Sequence, residues 1–393
     1  MTQDAIIKTG LDVLIQSAPE AFKGARIGLL CNQASVGRNL EHSRFLLRNR
    51  AGLSLSCLFS PQHGFSAEKQ DNMIESDHGV DRATGLPLFS LYGESRRPSR
   101  EMFDNLDVLL VDLVDVGTRV YTFIYTMAYC LEAAARWHKK VVVLDRPNPI
   151  GGLAVEGNVL VPAYRSFVGL FELPMRHGMT IGELALFFNR EAGIGADLEV
   201  VEMEGWQRSM YFDDTGLPWV FPSPNMPTLQ TALVYPGQVV WEGTTVSEGR
   251  GTTLPFELVG APYWEPERLS EALADYDLPG CLLRPVTFEP TSGKWAGQPC
   301  NGYQLHVTDR QRFMPYRTTL SLLQVVMQHY PAEFGYKEPP YEYEFEKLPM
   351  DLILGDQRVR VELEKGVRPE DLEKQWQTGL QQFIEKRSRC LLY

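Results

Sequence analysis

The chain has 393 residues, of which 44% are hydrophobic and 22% charged, with a formal net charge of -12. That length exceeds what one ordinary core organises, so two domains are expected in a soluble globular protein. The acidic balance argues against nucleic acid or an anionic membrane surface as partner, because either calls for a basic face. It leaves room for a small acidic ligand held by a few local arginines.

Six cysteines (Cys31, Cys57, Cys130, Cys281, Cys300 and Cys390) are scattered without a CxxC pair, which favours buried thiols in a reducing compartment. The opening residues MTQDAIIKTGLDVL lack a basic stretch followed by an apolar core, and no segment is long enough to span a bilayer. A cytoplasmic protein is the expectation.

In chain order, residues 5–16 predict a short amphipathic helix, 25–31 a strand, 39–48 a helix and 53–60 a second strand. A short strand over 87–92 precedes a helix that opens near Pro98 and ends near Asn105. The run 106–113 is almost wholly apolar and predicts a strand buried on both faces, followed by a helix over 121–138 and a strand over 141–144. Strands alternating with helices at this spacing predict a Rossmann-like α/β domain with a mostly parallel sheet. The first strand leads into NQASVG, not GxGxxG, and no GxxxxGK[ST] occurs, so no nucleotide cofactor is expected. Further on, 167–173 and 198–203 suggest strands, and Thr180 with Glu183 forms a capping box. The proline-rich stretch 217–228 is too apolar for a free linker and predicts a packed loop lining a cleft. The expected division is 1–250, a Rossmann-like domain carrying most of the site, and 251–393, a smaller α+β domain closing it. The latter carries a strand over 303–307 and helices over 318–329 and 369–387, with Leu372, Trp376, Leu380 and Phe383 along one face of the last.

Ligands of open α/β sheets sit at the carboxyl ends of the strands. The candidates there are Asn32; Gln62 and His63, with Glu68, Glu75 and Asp77 behind them; Asp112, Asp115, Arg119 and Tyr121; and Asp145 in a turn stiffened by Pro147 and Pro149, with Glu156 beyond. Arg176 and His177 precede a helix, and Glu248 with Arg250 lies in a glycine-rich turn. Each has a plainer explanation: Asp115 could cap the next helix and pair with Arg119, and the Asp145, His177 and Arg250 segments could be structural turns. Asp112, Asp115, Asp145, His63 and His177 also have the chemistry of metal ligands, but no HxH or HExxH cluster fixes them.

Taken together, CNQASV, LFSPQHGF, TGLPLFSLYG, VDLVDVGTRVYTF, VVLDRPNPIGG, RHGMTIGELA, PSPNMPT and SEGRGTTLPFE resemble the NamZ-like exo-β-N-acetylmuramidases, family 171 of the glycoside hydrolases, long catalogued as a domain of unknown function. The resemblance runs from about residue 8 into the C-terminal part. It implies a Rossmann-like domain, a smaller C-terminal domain and a site in the cleft between them. It also implies release of N-acetylmuramic acid from the non-reducing end of peptidoglycan fragments. The family commonly has Glu at the position of Gln62, in a Pro-Glu-His-Gly motif proposed to be catalytic; an amide there cannot act as acid or nucleophile. Glycoside hydrolysis usually needs two carboxyl groups, and with Gln62 neutral the candidates are Glu68, Asp115, Glu156 and Glu248, beside His63. The substrate's own acetamido oxygen offers a further route. Asn32, Gln62, Arg119, Tyr121, Asp145, Arg176, His177 and Arg250 are the candidate substrate contacts, an arginine among them suiting the lactyl carboxylate of a muramyl sugar. The alternatives are a non-catalytic muropeptide or sugar-binding protein on the same frame and a metal-dependent hydrolase.

Overall fold

The computed structural model describes residues 7–17 and 22–393. Among the described residues there are ten strands: β1 (Ile27–Cys31), β2 (Leu55–Ser60), β3 (Gly79–Val80), β4 (Pro87–Ser90), β5 (Val108–Asp112), β6 (Lys140–Leu144), β7 (Asp197–Val201), β8 (Leu258–Ala261), β9 (Cys281–Phe288) and β10 (Cys300–Val307). The helices are α1 (Gly10–Ser17), α2 (Ser43–Asn49), α3 (Arg100–Phe103), α4 (Phe123–Trp137), α5 (Ile181–Glu191), α6 (Leu229–Gln238), α7 (Pro266–Leu273), α8 (Pro315–His329), α9 (Pro349–Leu354), α10 (Gln357–Glu364) and α11 (Pro369–Ser388).

The first seven strands make one sheet in the order β3-β4-β2-β1-β5-β6-β7, parallel except for the edge strand β3. Strand side chains alternate between the two faces of this sheet. Leu109, Val111, Val141 and Val143 join a large apolar cluster with α4 and α5, while Val108, Leu110, Val142 and Leu144 join a smaller one with α1 and α2. Burial on both faces explains why these strands are apolar runs without polar alternation. The second sheet, β8-β10-β9, is antiparallel and belongs to the C-terminal part. The fold is thus α/β, a Rossmann-like sheet flanked by helices with a smaller α+β part.

Local signals account for most element ends. Thr180 and Glu183 form the expected capping box on α5, and α11 buries Leu372, Leu380 and Phe383 with Trp376 packed beside them. Of the helix expected over 5–16, residues 5 and 6 lie outside the described residues. The strand expected over 167–173 does not form. There the chain turns back on itself at a Ser166–Gly169 bridge, and Phe167, Val168 and Leu173 are buried as an irregular segment. Burial made that run apolar without a ladder partner. The helix α6 was not expected; it carries Pro236 and packs against α8. The large cluster continues without a break through Trp241, Tyr303, Leu320 and Leu354, so one core joins the sheet to the C-terminal helices. Among the described residues no helix is long and apolar enough to cross a membrane.

Candidate active site

The turns after β2 and β5 come together at the carboxyl edge of the sheet. Above them lies a narrow cavity that opens to solvent. Gln62, His63, Tyr121 and Thr122 line it from the sheet side, Ser223, Asn225 and Met226 from the proline-rich loop, and Glu242, Arg250, Tyr341 and Glu342 from the C-terminal side. Its walls therefore come from both sides of residue 250.

His63 and Gly64 follow β2 with φ of 74° and 84°, two left-handed residues in succession that swing the histidine ring off the strand direction. The ring nitrogen Nδ1 lies 2.7 Å from the Lys69 carbonyl. A carbonyl only accepts, so Nδ1 carries the proton and Nε2 of the neutral ring is an acceptor. Burial pushes the imidazole down to about 4, which keeps it neutral at physiological pH.

Gln62 sits in a chain of polar contacts. The Thr122 hydroxyl donates to Gln62 Oε1 at 2.6 Å, and Gln62 Nε2 donates to Glu342 Oε1 at 3.0 Å. The Tyr92 hydroxyl donates to the other oxygen of Glu342 at 2.7 Å. The Gln62 position thus still meets a carboxyl group, supplied from 280 residues downstream. Burial pushes the Glu342 carboxyl above its ordinary value, with the bonds from Tyr92 and Gln62 opposing it. Glu342 and Tyr343 have φ of 47° and 66°. Two non-glycine residues held in this region store roughly 1–3 kcal/mol each, a strain found where a side chain must be aimed.

Glu242 is the second carboxylate of the cavity. It accepts from Arg250 Nη2 at 2.5 Å, from the Tyr341 hydroxyl at 2.7 Å and from Asn72 Nδ2 at 3.2 Å. The glycines flanking Arg250 have φ of 76° and 79°, and the tight turn they make sets the guanidinium between Glu242 and Glu248. Burial opposes the Glu248 charge, but Lys294, at 2.7 Å, and Arg250 outweigh it and hold that carboxyl below its ordinary value. Glu248 stands behind Arg250 and outside the cavity wall.

The remaining candidates lie elsewhere. Arg119 is wholly buried, and its guanidinium donates to the carbonyls of Asn158, Leu173, Ile353 and Leu354. Asp115 does not pair with Arg119. Its Oδ2 accepts from the Gly117 amide at 2.8 Å and lies 3.2 Å from His177 Nε2, both side chains being buried beneath the cavity floor. The geometry of the turn decides this, since Arg119 points away toward α9. His177 Nδ1 accepts from the Met179 amide. Asp145 accepts from the amides of Arg146 and Gly182 and from the hydroxyls of Thr180 and Tyr393, and anchors α5. Burial pushes its carboxyl up to about 7 against the bonds from Gly182, Thr180 and Tyr393. Arg176 is buried, donates to the Ile150 carbonyl and bridges through its backbone to Glu156, whose carboxyl accepts from the Arg317 amide in the first turn of α8. Asn32 donates to the Pro222 carbonyl and ties down the proline-rich loop. Glu68 is exposed and accepts from the Ser66 amide within its own turn. Asp112 pairs with Arg146. Among the described residues no group of three or more His, Cys, Asp or Glu side chains is arranged to hold a metal ion.

A family model described as exo-beta-N-acetylmuramidase NamZ, N-terminal, matches residues 27–230, and its C-terminal counterpart matches 233–393. The chain belongs to the NamZ family. The peptidoglycan beta-N-acetylmuramidase NamZ of Bacillus subtilis (strain 168) is 45% identical over 387 residues, 98% of this chain and 91% of that protein. Two crystal structures of DUF1343 family proteins from Bacteroides fragilis share the fold. One has a TM-score of 0.90 at 34% identity and the other 0.77 at 27%, each comparison covering 99% of both chains. The two NamZ models meet between residues 230 and 233, in the first turn of α6.

Glu242 and Glu342 are the cavity's two carboxyl groups, and reading the sequence missed both, as it missed Asn72, Thr122 and Tyr341 beside them. Each glutamate stands beside aromatic residues, Trp241-Glu242-Gly243 in a short 3-10 helix and Tyr341-Glu342-Tyr343 in an irregular turn. An acid flanked by tyrosines just past Pro339-Pro340 is a signal for a stiff, partly buried turn, and was available in the sequence.

Proposed function

We propose that this protein is an exo-acting glycosidase that releases N-acetylmuramic acid from the non-reducing end of peptidoglycan fragments. The observation that carries the reading is one cavity holding two buried carboxyl groups of unlike surroundings, Glu342 and Glu242. Glycosidases use such a pair to give one group the proton and the other the charge. Glu342, its carboxyl pushed up by burial, protonates the leaving glycosidic oxygen. Glu242, held by Arg250, Tyr341 and Asn72, faces the positive charge that grows on the sugar ring. Three donors leave it a poor nucleophile, which favours attack by the substrate's own acetamido oxygen. His63 Nε2, an acceptor, suits the acetamido N–H or a ring hydroxyl.

The test is a chromogenic N-acetylmuramide beside the matching N-acetylglucosaminide. Release from the muramide supports the reading. Release from neither, over a wide range of enzyme concentration and pH, overturns it.

Gln62 also motivates a sugar-binding protein without turnover, and Gln62→Glu separates the two readings. A carboxyl there would meet Glu342 at hydrogen-bond distance, and two acids sharing one proton raise one pKa. If Glu342 is the acid, the wild-type protein already turns over, and the variant moves the alkaline limb of kcat upward by roughly 1–2 pH units. An inert wild type that gains turnover in Gln62→Glu would establish the binding-protein reading.

A further inference from the structure

The arginines that suit a substrate carboxylate by their place in the sequence are already occupied. Arg119 serves four carbonyls, Arg176 lies buried against Ile150, and Arg250 is paired with Glu242 and Glu248. Another cation stands beside the cavity. The Arg96 guanidinium carbon lies 3.9 Å from the ring centroid of Tyr343, 4.7 Å from Phe167 and 5.2 Å from Tyr92. These are the neighbours of Glu342: Tyr343 follows it in the chain, Tyr92 donates to it, and Phe167 adjoins Val168 of the cavity wall. Stacking covers the faces of a guanidinium and leaves its N–H edge for a hydrogen-bonding partner. Among the described residues no carboxylate lies at ion-pair distance from Arg96, although its charge acts on Glu342, and its buried Nε has no hydrogen-bond partner, as is also true of Arg119, Arg176 and Arg250. A planar cation with an unused edge, held rigid beside the cavity, fits an anionic group on the ligand.

We propose that Arg96 receives the lactyl carboxylate of the N-acetylmuramyl residue and so sets the preference for muramyl over glucosaminyl sugars. This rests on the glycosidase reading for the identity of the sugar. The sugar ring then sits over Gln62 and Tyr121, with its lactyl arm directed past Glu342 toward the aromatic cage. The carboxylate also approaches Glu242, and Arg96 offsets that like charge. Specificity is a difference in affinity, and glucosaminyl sugars lack the one group that Arg96 recognises.

The experiment is a cycle in which both the residue and the ligand are changed. Binding of N-acetylmuramic acid and of its methyl ester is measured by calorimetry on wild type, Arg96→Ala and Arg96→Lys. Arg96→Gln, planar but uncharged, replaces Arg96→Ala should the latter not fold. The expected result is a loss of roughly 10–100-fold for the acid in the uncharged variant, partial recovery with lysine, and little change for the ester in any variant. Equal loss for acid and ester would make Arg96 a clamp on the Glu342 turn and overturn the proposal. So would unchanged binding of the acid, or no measurable binding of the acid to wild type. Binding is read without turnover, so an inert protein that still shows the charge-dependent cycle would sink the glycosidase reading and leave Arg96 in its role.

Discussion

Glu342→Gln is expected to lower kcat on an N-acetylmuramide by on the order of 10²–10⁴-fold with the fold intact, the loss typical of removing a general acid. The substitution keeps size and shape. The Gln62 amide can turn over so that its oxygen accepts from the new amide while its nitrogen faces Thr122, and the chain of contacts survives. What is lost is the proton. The wild-type pH profile carries the same information. A general acid works only while protonated, so activity is present below its folded pKa and falls as pH rises through it. Because burial lifts the Glu342 carboxyl, that fall should come at higher pH than for an ordinary glutamate. His63 should add no inflection near neutrality, since its imidazole titrates near 4. The decisive comparison uses two aglycones. If Glu342 protonates the leaving oxygen, a good leaving group such as a nitrophenol should depend on it far less than an alcohol does. Equal losses on both, or no loss, would remove Glu342 from that role.

Arg119→Met is expected to cost stability, roughly 3–5 kcal/mol, which for a chain of this length lowers Tm by about 4–6 °C. The guanidinium is fully buried, and its four donor contacts run at 2.7 and 2.9 Å to Asn158 and Leu173 and at 3.0 and 2.8 Å to Ile353 and Leu354. It thereby buckles the segments beside α4 to α9. Methionine fills the space but takes the arginine donor from all four carbonyls in a dry interior; those of Leu173 and Leu354 keep the Leu160 amide and the Asn158 side chain, so the cost falls mainly on Asn158 and Ile353. Burial lowers the guanidinium pKa, yet arginine stays charged across the accessible range. Arg119→Lys should recover less than half, because one ammonium cannot span acceptors on both segments. Thermal unfolding of the three proteins measures this. An unchanged Tm together with a raised KM would return Arg119 to the ligand-binding role that its strand-end position suggests.

Arg119 also illustrates what could be read from the residues alone. The sheet was legible, because parallel strands covered on both faces must be apolar runs, and 106–113 and 141–144 have no other use for so many valines and leucines. The carboxyl-edge rule located the right end of the sheet, and the turns bearing Gln62, His63 and Tyr121 do line the cavity. That rule gives a position along a strand and not the direction of a side chain. Asp115, Arg119 and His177 occupy the same edge and turn inward, where their hydrogen bonds brace the turns. Periodicity could not supply Glu242 and Glu342 either. They lie in a single 3-10 turn and an irregular turn, both too short for a repeating pattern to betray them and brought to the cavity by contacts spanning 170 and 280 residues. Glu68, Glu156 and Glu248 were nearer in sequence to recognisable motifs, and their carboxyl groups serve turns, a helix end and a lysine.

The sheet side of the cavity is complete by Phe123, but the proposed acid arrives only with residue 342. During synthesis the amide and the histidine are therefore made long before the proposed proton donor. A chain interrupted ahead of that residue could fold much of its sheet and still be chemically silent, so the last stretch of translation arms the molecule.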